Sequence, residues 1–148
     1  MTSRTDSEGR SRTYAYNPDS RLSSVADSDG KTGRSYTYAA GTTGTTTRIS
    51  GYTVVFGGTN RLTSQFTYDA AGNITQETTG GKTWTYTYDS LGQLTGASDG
   101  TTAYSFTYDA AGNLLTASDG SKTHTYTYGD ESWKDLLTAY DGHAGPSW

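Results

Sequence analysis

The chain has 148 residues, a mass of 15.8 kDa, 19 Gly, 2 Pro, no Cys and a formal net charge of −4, which bounds it to one domain or one stretch of a repeat array. The missing Cys excludes a disulfide framework, a thiolate metal site and a thiol nucleophile, and no apolar run approaches the roughly 18 residues a membrane-spanning helix needs, so membrane insertion is not expected. Leu, Ile, Val and Phe make up only about 11% of the residues, far below an ordinary globular core, while 29 Thr, 13 Tyr and 3 Trp argue against disorder and leave aromatic surface as the main thing the chain can bury.

Residues 1–13 read as a lead segment without the apolar stretch of a signal sequence, so export would need a longer parent chain or another route. Charge is uneven: residues 1–61 hold all seven Arg and sum to +3, whereas residues 62–148 sum to −7. The Arg residues are scattered singly, so nucleic acid is not an expected partner.

From Tyr14 a unit begins to recur. YAYNPDSRL (14–22) is a clear copy, YTYAAG (36–41) a partial one, and VVFGGTNRL (54–62) a degenerate one with Phe56 at the Tyr position. FTYDAAGNI (66–74), YTYDSLGQL (86–94) and FTYDAAGNL (106–114) then follow at a spacing of 20 residues, and YTYGD (126–130) opens a fourth on the same count. A fixed period of this length means stacked units, each too small to fold alone. Trp84 to Tyr88, Tyr104 to Tyr108 and His124 to Tyr128 alternate strictly between a ring and Thr or Ser, the period-two pattern of a strand with two unlike faces. A weak helical stripe is present only over Trp133 to Tyr140.

The turns complete each unit. Asp69, Asp89 and Asp109 each begin an Asp-x-x-Gly that ends at Gly72, Gly92 and Gly112. The Asp side chain caps the turn backbone and Gly supplies a positive φ, which predicts a type I turn with a G1 bulge. At the other end Gly80-Gly81, Asp99-Gly100, Asp119-Gly120 and Asp29-Gly30 suit two-residue type I′ hairpins. One repeat is therefore one hairpin, and the chain is expected to be all-β, an antiparallel meander of about 20-residue hairpins in a twisted open sheet. Ile74, Leu94 and Leu114 should join the aromatic face from the alternate strands, with Thr and Ser opposite.

The Y-x-Y-D-x-x-G-[NQR]-[LI] motif at this spacing resembles the YD repeats, or RHS repeats, of bacterial wall-associated and polymorphic toxin proteins, insecticidal toxin complexes and teneurins. The resemblance covers roughly residues 14–140 and implies a sheet that spirals into a hollow shell around a C-terminal toxic or signalling domain, in an extracellular or cell-surface setting. It also implies a self-cleaving segment at the shell's end, which is not expected within these residues, the last of which read DGHAGPSW. The organisation expected is a lead at 1–13, a repeat sheet at 14–140 and a tail at 141–148.

No residue set nominates catalysis. A base within reach of a nucleophile and oxyanion donors are both missing from the pattern, and His124 takes the position of Trp84 and Tyr104 while His143 lies in a Gly-rich tail. The Asp ladder is explained by turn capping without acid catalysis or calcium, and Asp27-Ser28-Asp29-Gly30 lacks the downstream Glu of a calcium loop. No catalytic residue, metal or cofactor is therefore expected. Trp84, Tyr86, Tyr88, Tyr104, Phe106, Tyr108, Tyr126 and Tyr128 carry two readings, a buried aromatic layer or flat faces for stacking sugars. The expected function is a structural, non-enzymatic sheet module with a toxin cargo in a longer parent; the alternatives are a carbohydrate-binding module and self-association through open sheet edges.

Overall fold

A computed structural model describes residues 1–41 and 45–144. Among them it is all-β. The strands are β1 Thr2–Thr5, β2 Ser11–Tyr16, β3 Leu22–Asp27, β4 Thr32–Ala40, β5 Thr45–Phe56, β6 Thr59–Tyr68, β7 Ile74–Thr79, β8 Lys82–Tyr88, β9 Leu94–Ser98, β10 Ala103–Tyr108, β11 Leu114–Ser118, β12 Thr123–Thr127, β13 Ala139–Tyr140 and β14 His143–Ala144. Each is hydrogen-bonded to its sequence neighbours in one open antiparallel meander without crossovers. The chain divides into two compact units, Met1–Asp69 with Gln76–Thr83, and Ala70–Thr75 with Trp84–Trp148.

The ring-and-Thr alternation sets the faces. In β8 Trp84, Tyr86 and Tyr88 are half-buried while Thr83, Thr85 and Thr87 are exposed, and β12 repeats the pattern. Tyr86 and Tyr104 both lie opposite Ala97, and Phe106 and His124 both lie opposite Ala117, so each small residue leaves room for rings from the strands on either side. Tyr88 lies opposite Leu94 and Tyr108 opposite Leu114, each just past a register shift. The bulge expected from Asp-x-x-Gly is therefore present, and these leucines share the aromatic face. The opposite face carries exposed hydroxyl pairs, Thr87 with Thr95 at 3.2 Å and Thr107 with Thr116 at 2.6 Å.

Among the described residues no apolar side chain is fully buried; Ser64, at 0% exposure, is the one sealed side chain. Among the described residues the apolar layer is thus half-buried rather than sealed.

Several expectations are corrected. Gly80 and Gly81 both have positive φ (59° and 81°), as does the Gly57-Gly58 pair (62° and 74°), and a type I′ turn requires this. Gly30, Gly100 and Gly120 have positive φ, but Asp29, Asp99 and Asp119 do not, so these three are not type I′ turns. The Asp side chain wins: Asp99 Oδ1 accepts from the Thr101 and Thr102 amides and Asp119 Oδ1 from those of Ser121 and Lys122, which holds Asp in a right-handed Asx turn. Phe56 does not take the Tyr position either. It pairs with Thr59 at a hairpin tip and is 64% exposed; β5 and β6 run to 12 and 10 residues, so the Tyr position of this copy is Tyr68.

The helical stripe over Trp133 to Tyr140 forms no helix. Asp130 Oδ1 caps the Ser132 and Trp133 amides, Leu136 N donates to Trp133 O, and Thr138 N returns to Thr127 O, which feeds residues 139–140 into β13. The expected lead at 1–13 contains β1 and the start of β2, and the expected tail at 141–148 contains β14, its last four residues lying outside the described ones.

Candidate functional site

The D-x-x-G-[NQR] turn is a closed hydrogen-bond module. Asp89 Oδ1 accepts from the Leu91 and Gln93 amides, each at 2.9 Å, and its Oδ2 accepts from Gln93 Nε2 at 2.9 Å. Asp109 repeats this with Ala111 and Asn113, all at 2.9 Å. Gly92 N and Gly112 N donate to the backbone oxygens of Asp89 and Asp109. The donors favour the ionised carboxylates: the Gln93 amide foremost holds Asp89 below the usual range, and the Asn113 side chain foremost holds Asp109 there. With both oxygens occupied, these Asp residues are structural caps. Asp69 and Gly72 stand at the same places between β6 and β7, with Gly72 at φ 101°.

The residue after Gly also reaches the next turn. A methyl at Gly112 would stand 3.3 Å from Gln93 Oε1, and Asn113 Nδ2 donates to Lys134 O at 3.2 Å. The first copy substitutes Asn17 for Asp and Ser20 for Gly: Arg21 N donates to Asn17 Oδ1, Ser20 N donates to Asn17 O, and Ser20 takes φ 62°.

Four of the motif tyrosines are ties. The hydroxyls of Tyr38, Tyr68, Tyr88 and Tyr108 donate to the carbonyls of Leu22, Ile49, Ile74 and Leu94 at 2.7, 2.5, 2.8 and 2.8 Å. Leu22, Ile74 and Leu94 are the first residues of β3, β7 and β9, and Ile49 lies within β5. The hydroxyl explains why this position stays Tyr while the ring two residues earlier alternates between Tyr86 and the phenylalanines 66 and 106. Tyr128 is half-buried just beyond β12.

The remaining aromatics form a half-open surface. In the second unit Trp84 and Tyr104 stack at 6.0 Å with planes 20° apart, and Tyr104 is 40% exposed. Tyr86, Phe106 and Tyr126 are half-buried on the same face. His124 follows Trp84 and Tyr104 in register and stacks on Tyr140 at 5.3 Å and 14°. His124 Nδ1 lies 2.7 Å from Asp141 Oδ2, and Asp141 Oδ1 accepts from Thr125 N at 2.8 Å, so the final hairpin is clasped to β12. Those contacts, led by the Thr125 amide, keep the Asp141 carboxyl below its ordinary range.

In the first unit guanidinium groups lie over rings: Arg21 on Tyr38 at 4.4 Å, Arg34 on Tyr52 at 5.6 Å and Arg48 on Tyr68 at 5.9 Å. Arg21 also donates to Thr46 O at 2.5 Å and pairs with Asp19 at 2.9 Å. Asp27 accepts from Arg12 Nε at 2.9 Å. Sequence reasoning missed the tyrosine ties, the arginine caps and the His124–Asp141 clasp. It also missed a further turn, in which Asp6 Oδ1 accepts from the Glu8 and Arg10 amides; Asp6-Ser7-Glu8-Gly9 was its visible signal.

An antiparallel meander with carboxylate-capped turns and four tyrosine hydroxyls tied back to earlier strands is a YD-repeat sheet. The chain belongs to the Teneurin YD-shell family, whose model matches residues 40–138, and the RHS Repeat model matches residues 1–32. No curated protein matches it. Among solved structures it is similar to the Photorhabdus luminescens Tc holotoxin pore carrying a TccC3 mutation, with 18% identity, a TM-score of 0.55, and 92% of this chain and 9% of that chain covered. A TcdB2-TccC3-TEV crystal structure gives 17% identity and a TM-score of 0.55 over 93% of this chain and 10% of that one. A TcdB2-TccC3-Cdc42 crystal structure gives 18% and 0.53 over 84% and 9%. The likeness lies in the fold, and the chain spans about a tenth of the length of those structures.

Proposed function

We propose that this chain is a structural, non-enzymatic wall segment of a secreted or cell-surface shell that encapsulates or presents a C-terminal toxin domain. The observation that carries the reading is the half-buried apolar layer, with no apolar side chain fully buried among the described residues. Such a layer suits a thin wall that gains its second cover from other parts of a larger assembly. The turn carboxylates and tyrosine hydroxyls are spent on holding repeats together, which fits a scaffold and leaves no acid or base assigned to chemistry. The test is limited proteolysis of the gene product that contains this chain, comparing any domain that follows it with the same domain expressed alone. Protection of at least tenfold in cleavage rate supports a shell; equal cleavage rates refute it.

A second reading, a carbohydrate-binding surface, is favoured by the stacked and partly exposed Trp84 and Tyr104. Quenching of Trp84 fluorescence by millimolar saccharide supports it, and no response counts against it. Self-association through the outer edge of β1, which pairs on one side with β2 and has all four residues exposed, predicts a mass above 15.8 kDa in light scattering that falls on dilution.

A further inference from the structure

In the first unit the position four residues before the tying Tyr38 is Arg34, whose guanidinium lies over Tyr52, and the position four before Tyr68 is the buried Ser64. The same position is Trp84, Tyr104 and His124 in the second unit. The residue after the turn Gly or Ser is likewise Arg21 over Tyr38 in the first unit, where the second has Asn73, Gln93 and Asn113. In the first unit these two positions therefore carry guanidinium groups over rings, and that unit supplies its own cations. Residues 62–148 contain no Arg at all, and the second unit has eight acidic residues against Lys122 and Lys134. Its row is left as rings alone, with Tyr104 40% exposed and Trp84 stacked beside it.

We propose that the aromatic face of the second unit, centred on Trp84 and Tyr104, docks an arginine-rich extended polypeptide whose guanidinium groups lie on these rings as Arg34 lies on Tyr52. Charge complementarity selects the occupant. An acidic surface draws a cationic chain from a distance, and a planar, weakly hydrated guanidinium stacks on aromatic faces better than an ammonium does. The proposal is independent of the shell reading, since it concerns the ring row and the net charge of one unit.

The test uses the whole chain and two fluorescent peptides, nine arginines and nine lysines, titrated by anisotropy at low and at physiological ionic strength. The expected result is binding of both at low salt, with the arginine peptide at least several-fold tighter and retaining that preference as salt rises. Tyr104→Leu should weaken the arginine peptide by about two- to fivefold, the worth of one exposed ring, and leave the lysine peptide unchanged. Trp84→Thr, which removes the half-buried ring stacked beside Tyr104, gives a second variant with the same expectation, and circular dichroism confirms that each retains its sheet. Equal affinity for the two peptides overturns the proposal, because simple charge attraction then accounts for binding. So does displacement of the arginine peptide by the chain's own dimerisation, or a saccharide response with no peptide response.

Discussion

Replacing Tyr108 by Phe removes one hydroxyl and nothing else from a half-buried site. The lost bond is a 2.8 Å donation to the Leu94 carbonyl, and such bonds contribute about 0.5–1.5 kcal/mol net, with the upper part of the range applying where the acceptor is left without a partner. Y108F should therefore destabilise the chain by about 1 kcal/mol. Y88F removes the equivalent bond to Ile74, and since the two ties lie two strands apart, roughly 9.6 Å, the double variant should lose about 2 kcal/mol by near-additivity. Tyr104, stacked on Trp84 and 40% exposed, supplies the control, because Y104F keeps the ring and should change stability by less than about 0.5 kcal/mol. Urea unfolding followed by circular dichroism and by tryptophan fluorescence reads these differences, with coincident curves required before a single free energy is assigned to a repeat array. The reasoning is refuted if Y108F matches the parent, or if Y104F costs as much as Y108F.

Other consequences can be measured in the same way. Gly112→Ala forces a side chain into φ 90° and towards Gln93 Oε1 at 3.3 Å, so a loss of about 1–2 kcal/mol is expected, whereas Ser20→Gly relieves φ 62° and should gain up to about 1 kcal/mol. Arg21→Ala removes a stacked guanidinium with an 18% exposed side chain, together with its bonds to Thr46 and Asp19, and should cost about 2 kcal/mol; Arg21→Lys should recover less than half of it. Thr107→Val breaks an exposed hydroxyl pair and should stay within about 0.5 kcal/mol of the parent. The carboxyls of Asp89, Asp109 and Asp141 lie below their ordinary range, and that of Asp119 is lowered to about 2 by amide donors led by Lys122. Their contribution is full above the ordinary carboxyl range near pH 4 and is lost as the pH falls towards 2. The urea midpoint should therefore drop over that interval, and a midpoint constant from pH 5 to pH 2 would contradict the caps.

The period of 20 residues and the ring-and-Thr alternation made the meander legible, because both are consequences of backbone geometry that every copy must satisfy. Asp89 and Gly92 were equally legible, since a capped turn followed by a positive φ has few solutions. The two-residue turns were read by their Asp-Gly spelling, and here a competing interaction decided: an Asp side chain with free amides two and three residues ahead closes its own turn. Phe56 mimics the Tyr position by its local VVFGGTNRL pattern, whereas the long β5 and β6 stretch one repeat and put it at a hairpin tip. The arginine caps stayed hidden because Arg48 and Tyr68 lie 20 residues apart and meet only once the register is known. His124 and Asp141 likewise meet through a loop with no repeat to predict it.

The tyrosine ties have a direction. Each donor lies downstream of its acceptor, by 14 residues for Tyr88 and Tyr108, 16 for Tyr38 and 19 for Tyr68. A new hairpin therefore fastens to a strand that has already been made, and no tie waits for sequence still to come. During synthesis from the N terminus the sheet can close behind the ribosome like a ratchet, with pawls at Tyr38, Tyr68, Tyr88 and Tyr108, so that these strands need never all be unfolded at once.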